Sequence, residues 1–117
     1  MPSSIALPRV LENYSIQSLN TFGIDVKARY FVEIRSIEQY HLILNSGTYS
    51  HVPHIFLGGG SNVLLTHDLN ALVVKVAIDG IEVIKEDDQH VWVRAGAGVV
   101  WHDFVQYTVS HQWAGIE

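Results

Sequence analysis

The run Ile55-Phe56-Leu57-Gly58-Gly59-Gly60-Ser61-Asn62 combines residue types that can grip an anion. An apolar stretch drives into three consecutive glycines, then two small polar residues, then Val63-Leu64-Leu65. Without a Cβ, such a turn reaches positive φ and lets a ligand approach the main chain closely. Successive amide N–H groups can converge there on one point, and Ser61 and Asn62 add side-chain donors. The chemistry expected is a cradle for phosphate or pyrophosphate at the end of a strand. The competing reading is a tight turn without a ligand, because glycine clusters also mark plain turns. Two common nucleotide loops do not fit. A Walker-type loop needs Gly-Lys-Ser/Thr, and a dinucleotide fingerprint starting at Gly58 needs glycine where Val63 stands.

Other candidates carry weaker chemistry. Gly96-Ala97-Gly98 precedes a helix, so its amides can meet an anion, but close packing explains the glycines equally well. Asn20-Thr21-Phe22-Gly23 reads as a turn with Phe22 in the core, the alternative being contact with a ligand. His51 and His54 are three apart on a loop containing Pro53, without a third ligand in view, and read as solvent-facing. His102 reads as a structural or exposed imidazole and Trp101 as core. Glu82, Glu86, Asp87 and Asp88 read as a solvated turn rather than paired acid and base. No catalytic residue and no metal ligand is assigned.

These residues need elements to position them. Residues 1–19 read as a weakly structured extension, with a short helical turn near Val10 to Tyr14. Residues 28–35 alternate as a strand, Tyr30, Val32 and Ile34 on one face and Phe31, Glu33 and Arg35 on the other. Ser36-Ile37-Glu38-Gln39 is a capping-box signature for a helix over 36–46, with Ile37, Tyr40 and Leu44 on its apolar face and Gly47 at its end. A short buried strand follows over 54–57, a turn at Asp68-Leu69-Asn70, and an apolar strand over 72–76. Strand, helix, strand in series predicts a βαβ unit, which places ligands at the carboxyl ends of parallel strands. Beyond Asp79-Gly80, an antiparallel hairpin turns at Asp87-Asp88-Gln89. A helix follows with Trp101, Phe104, Val105 and Val109 on one face.

Composition narrows the partners. A chain of 117 residues supports one domain, and 48% hydrophobic residues supply a core. Seven Lys and Arg against twelve Asp and Glu leave a formal charge of −5, so neither nucleic acid nor an anionic membrane is an expected partner. Any phosphate binding must come from local main-chain dipoles. The absence of cysteine removes disulfides, iron–sulfur clusters and thiol catalysis from this segment. With neither a signal-peptide pattern nor a membrane-length apolar run, a cytoplasmic protein is the expectation.

Three groups of residues, in order, carry a family resemblance. They are Asn20-Thr21-Phe22-Gly23-Ile24-Asp25, then Leu57 to Leu64, then Val93-Arg94-Ala95-Gly96-Ala97-Gly98 with Trp101-His102 and Gly115-Ile116-Glu117. Together they resemble the N-terminal part of the UDP-N-acetylenolpyruvoylglucosamine reductase (MurB) family, from about Leu19 to Glu117. The resemblance implies an α+β, FAD-binding fold of two small α/β lobes, the second incomplete because the chain stops early. The implied parts are an N-terminal extension (1–19), the first lobe (20–78) and the start of the second (79–117). It implies FAD as cofactor, with Leu57, Gly58, Gly59, Gly60, Ser61, Asn62 and Val63 as the cofactor-binding stretch. In the longer enzyme it implies NADPH as hydride donor and UDP-N-acetylglucosamine enolpyruvate as substrate, in peptidoglycan precursor synthesis. This 117-residue chain alone is expected to be inactive, to hold FAD weakly or not at all, and to self-associate through unpaired edges. Two rivals stay open: another flavoprotein of the same fold, such as an oxidase, and a non-catalytic α/β binding or assembly module.

Overall fold

The computed structural model describes residues 7–19, 24–58 and 67–116. The elements run β1 (Leu11–Ser15), β2 (Lys27–Ile34), α1 (Ile37–Ser46), β3 (His54–Leu57), β4 (Leu69–Val76), β5 (Ile81–Glu86), β6 (Val91–Ala95) and α2 (Trp101–Ser110). They form a four-stranded sheet in the order β1-β2-β4-β3 and a separate two-stranded sheet of β5 and β6. The fold is α+β, as expected.

In the larger sheet, β4 lies between β2 and β3 and runs parallel to both. A central parallel strand is covered on both faces and reads as a continuous apolar run. Ala71, Leu72, Val73 and Val74 are accordingly all buried. The alternation of β2 divides the core. Val32 and Ile34 pack with Leu72, Val74, Ile43 and Val52 on one face. Phe31 packs with Val73, Leu57, Ile16 and Val26 on the other. The crossover through α1 joins parallel β2 and β3 but skips one place, which β4 fills.

Four details differ from the sequence reading. The strand over 54–57, expected to be buried, lies at the sheet edge with only Leu57 buried, because β4 takes the central place. Leu11–Ser15 is an edge strand antiparallel to β2, not a helical turn. Glu12 and Asn13 are poor strand formers, but Tyr14 stacks on Phe31 at 4.5 Å and a tertiary partner overrides local propensity. The Asp68-Leu69-Asn70 turn is instead the entry of β4. Asp68 Oδ1 accepts from Lys27 N at 2.9 Å and Asn70 Oδ1 from Arg29 Nη1 at 3.0 Å, so these side chains tie β4 to β2. On α1 the buried residue is Ile43, while Ile37 and Leu44 are exposed. The helix carries two overlapping apolar stripes, and docking on the sheet selects the one through Tyr40 and Ile43.

The ends of α1 follow their sequence signals. Ser36 Oγ accepts from Gln39 N at 3.2 Å, and Gln39 Oε1 accepts from Arg35 N at 2.7 Å. Gly47, at φ 68°, closes the helix in the left-handed region. Ser36→Ala is expected to cost about 1 kcal/mol, the usual loss for an N-cap, read as a lower urea midpoint.

The hairpin β5–β6 is antiparallel with a register shift between Val83 and Lys85. Asp87 Oδ1 accepts from Gln89 N at 2.8 Å and His90 N at 2.7 Å, which builds the polar turn. The Cα radius of gyration is 17.1 Å with extents of 50 × 43 × 18 Å. A compact chain of this length has a radius of about 13 Å. The two sheets therefore lie side by side in a flattened molecule.

Candidate functional site

The carboxyl ends of β2, β4 and β3 lie together along one end of the sheet. Register pairs Ile34 with Val76 and Leu57 with Lys75. The Leu57 side chain is committed to the core, so this residue can offer a ligand only its main chain. Gly58 follows, exposed, and no atom lies within 4 Å of where its Cβ would project. Open space thus stands on the Cβ side of Gly58, where the glycine run begins, and a bulky anion could approach from that side. Gly59, Gly60, Ser61, Asn62 and Val63 lie outside the described residues, as does Asn20-Thr21-Phe22-Gly23.

One charge cluster sits at this end of the sheet. Glu33 accepts Lys75 Nζ at 3.3 Å and Arg35 Nη2 at 2.7 Å. Lys75 stands opposite Leu57, so a cluster with two cations and one carboxylate flanks the strand ends. No spacing in the sequence reveals it, because Glu33 and Lys75 meet only through strand pairing.

Gly96 and Gly98 serve packing. Their amides donate to Gly80 O at 2.9 Å and Ile78 O at 2.7 Å. A Cβ on Gly96 would stand 2.3 Å from Ile78 O, and one on Gly98 would stand 2.7 Å from Val76 O. Of the two readings of Gly96-Ala97-Gly98, close packing is the one observed for both glycines. The result is a backbone-on-backbone seam that seats the hairpin against the carboxyl end of β4. A cleft of about 560 Å³ runs along the seam, walled by Ile37, Ile78, Glu82 and Arg94. Glu82 Oε1 accepts from Arg94 Nη1 at 3.0 Å in that wall.

The histidines separate. His51 is exposed, edge-on to Tyr30. His54 is half-buried, not solvent-facing. Its Nδ1 lies 2.8 Å from Tyr40 Oη and its Nε2 lies 3.1 Å from Tyr49 O. Burial pushes the Tyr40 phenol above its ordinary value of 10.0, so it stays a protonated donor. His102 is exposed. Trp101 is 65% exposed rather than core, lying on Phe104 at 5.9 Å. Val109 is also exposed, and the buried residue of α2 is Thr108. Glu86, Asp87 and Asp88 are exposed around the turn, whereas Glu82 is exposed at the opposite end of the hairpin, paired with Arg94 across the strands. Among the described residues no three His, Cys, Asp or Glu side chains cluster as a metal site, and no helix is long and apolar enough to cross a membrane.

A family model described as the FAD binding domain matches residues 28–117. The UDP-N-acetylenolpyruvoylglucosamine reductase of Flavobacterium johnsoniae is 44% identical over 108 residues, covering 92% of this chain and 32% of that protein. The reductase of the same name from Bacteroides fragilis strain ATCC 25285 is 44% identical over 106 residues, covering 91% and 32%. That of Burkholderia multivorans is 38% identical over 117 residues, covering 100% and 34%. The chain therefore spans about a third of the length of these curated relatives.

Proposed function

Because this chain belongs to the FAD binding domain family, we propose that it is the cofactor-holding portion of a reductase acting on UDP-N-acetylenolpyruvoylglucosamine. The observation that carries the reading is the exposed Gly58 at the carboxyl end of β3, with open space against its backbone. We assign the FAD pyrophosphate to the main-chain amides of residues 58–62, with Leu57 and Val63 flanking. The described part fits such a group: space is open where a Cβ of Gly58 would project, and the Lys75, Arg35 and Glu33 cluster lies at the same strand ends.

When bound, FAD would supply hydride-transfer chemistry between NADPH and the enolpyruvyl group of the UDP-sugar. The residues of this chain bind and orient. The glycine run would offer amides to the diphosphate, and the core side chain of Leu57 anchors the residue that precedes Gly58. No residue here is assigned as a proton donor or substrate contact.

The finer reading places the enzyme in the cytoplasm, in peptidoglycan precursor synthesis. It also makes the hairpin and α2 part of a second lobe, starting at residue 79, that is completed by further strands. Exposed Val83, Ile84 and Trp92 support this, as apolar surface that more sheet would cover. The chain alone is then inactive, prone to self-association, and a weaker FAD binder than a protein of the relatives' length.

Titration of FAD into the purified chain, followed by quenching of flavin fluorescence, tests the reading. Saturable uptake that a diphosphate-containing nucleotide competes away is expected. FMN, which lacks the diphosphate bridge, should bind more weakly; equal affinity for both would sink the pyrophosphate assignment.

A further inference from the structure

Resting on the flavin-holding reading, we propose that Tyr40 and His54 form a clasp that positions the carboxyl end of β3 and hence the start of the glycine-rich run. β3 has only four residues and lies at the sheet edge, bonded on one side to β4. Beyond Leu57 comes Gly58, which has no side chain to anchor it. What holds β3 therefore sets where the run begins and how much slack it has.

On the face toward α1, one side chain meets both residues that β3 presents. Tyr40 Oη lies 2.8 Å from His54 Nδ1, and the Tyr40 ring meets Phe56 edge-on at 5.3 Å. Phe56 is 53% exposed, so on the face toward α1 burial holds the strand poorly, while Leu57 anchors the opposite face in the core. His54 Nε2 in turn lies 3.1 Å from Tyr49 O, in the connection between α1 and β3. A carbonyl oxygen only accepts, so Nε2 carries a hydrogen, and in that tautomer Nδ1 accepts from the Tyr40 hydroxyl. Helix, connection and edge strand are thereby joined through one imidazole held in one tautomer. Tyr40 and His54 act through the backbone of β3 and are positioning residues.

Three measurements on this chain test the clasp. The ring nitrogen shifts of His54 should show the Nε2–H tautomer in the unmodified protein; an Nδ1–H ring would overturn the proposal. Tyr40→Phe removes only the hydroxyl and should speed amide exchange at Leu57 and Gly58 by about three-fold to ten-fold, the usual worth of one hydrogen bond. FAD affinity should fall by a similar factor. Ser36→Ala lowers global stability at the start of the same helix; without denaturant, where the end of β3 opens locally, it should leave both readouts within about two-fold of the unmodified chain. Unchanged exchange and affinity in Tyr40→Phe, or equal changes in both variants, would overturn the clasp. If the unmodified chain takes up no FAD, the flavin reading fails, and the exchange comparison alone then decides the clasp.

Discussion

Gly59→Val is expected to lower FAD affinity by about two orders of magnitude or more, whereas Ser61→Ala should cost much less. A hydrogen bond to a charged group contributes about 1.5–3 kcal/mol, and a β-branched residue in a turn that needs glycine displaces several donors together. Ser61→Ala removes one side-chain donor and leaves the main chain alone. The contrast separates a cradle of amides from one built on side chains. Flavin fluorescence titration of both variants reads it directly. Equal loss in the two would mean that the main chain is not the gripping element, and no loss in either would remove residues 58–62 from the site.

Gly96→Ala is expected to destabilise the fold by about 1–3 kcal/mol, the range for forcing atoms into filled space. The added Cβ would meet Ile78 O at 2.3 Å and Asp79 O at 2.6 Å, and both are main-chain atoms that cannot swing away. The loss should appear as a fall of the order of 10 °C in melting midpoint. Gly58→Ala provides the opposite case. Nothing lies within 4 Å of its Cβ position, so stability should stay within about 0.5 kcal/mol of the parent while FAD affinity drops. On the proposed reading one glycine serves the fold and the other the ligand, and the pair of variants tests the two requirements separately. A Gly96→Ala protein that melts with the parent would mean the seam yields without cost.

Much of the scaffold was legible because its signals are local. The alternation of Tyr30 to Ile34, the cap at Ser36, the glycine at position 47 and the Asp87 turn each act within a few residues, and the structure carries all of them. The apolar strand expected over 72–76 is likewise present within Leu69–Val76, with Ala71 to Val74 buried. The misses share one cause. β1 exists because Tyr14 finds Phe31, β4 begins early because Asp68 and Asn70 bond to residues of β2, and His54 is half-buried because Tyr40 and Tyr49 enclose it. In each case the partner is more than a helical turn away in sequence, so no window of neighbouring residues contains the interaction.

The sequence by itself determined the chemistry on offer: a glycine-rich run after an apolar strand, without cysteine and without a basic surface, pointing to an anion held by main-chain amides. Tertiary structure alone decided which glycines face open space and which face backbone. Gly58, Gly96 and Gly98 are identical as residues, and only the pairing of strands brings Val76 and Ile78 against the last two and leaves the first clear. A missing side chain states that something comes close; what comes close is settled by atoms far along the chain.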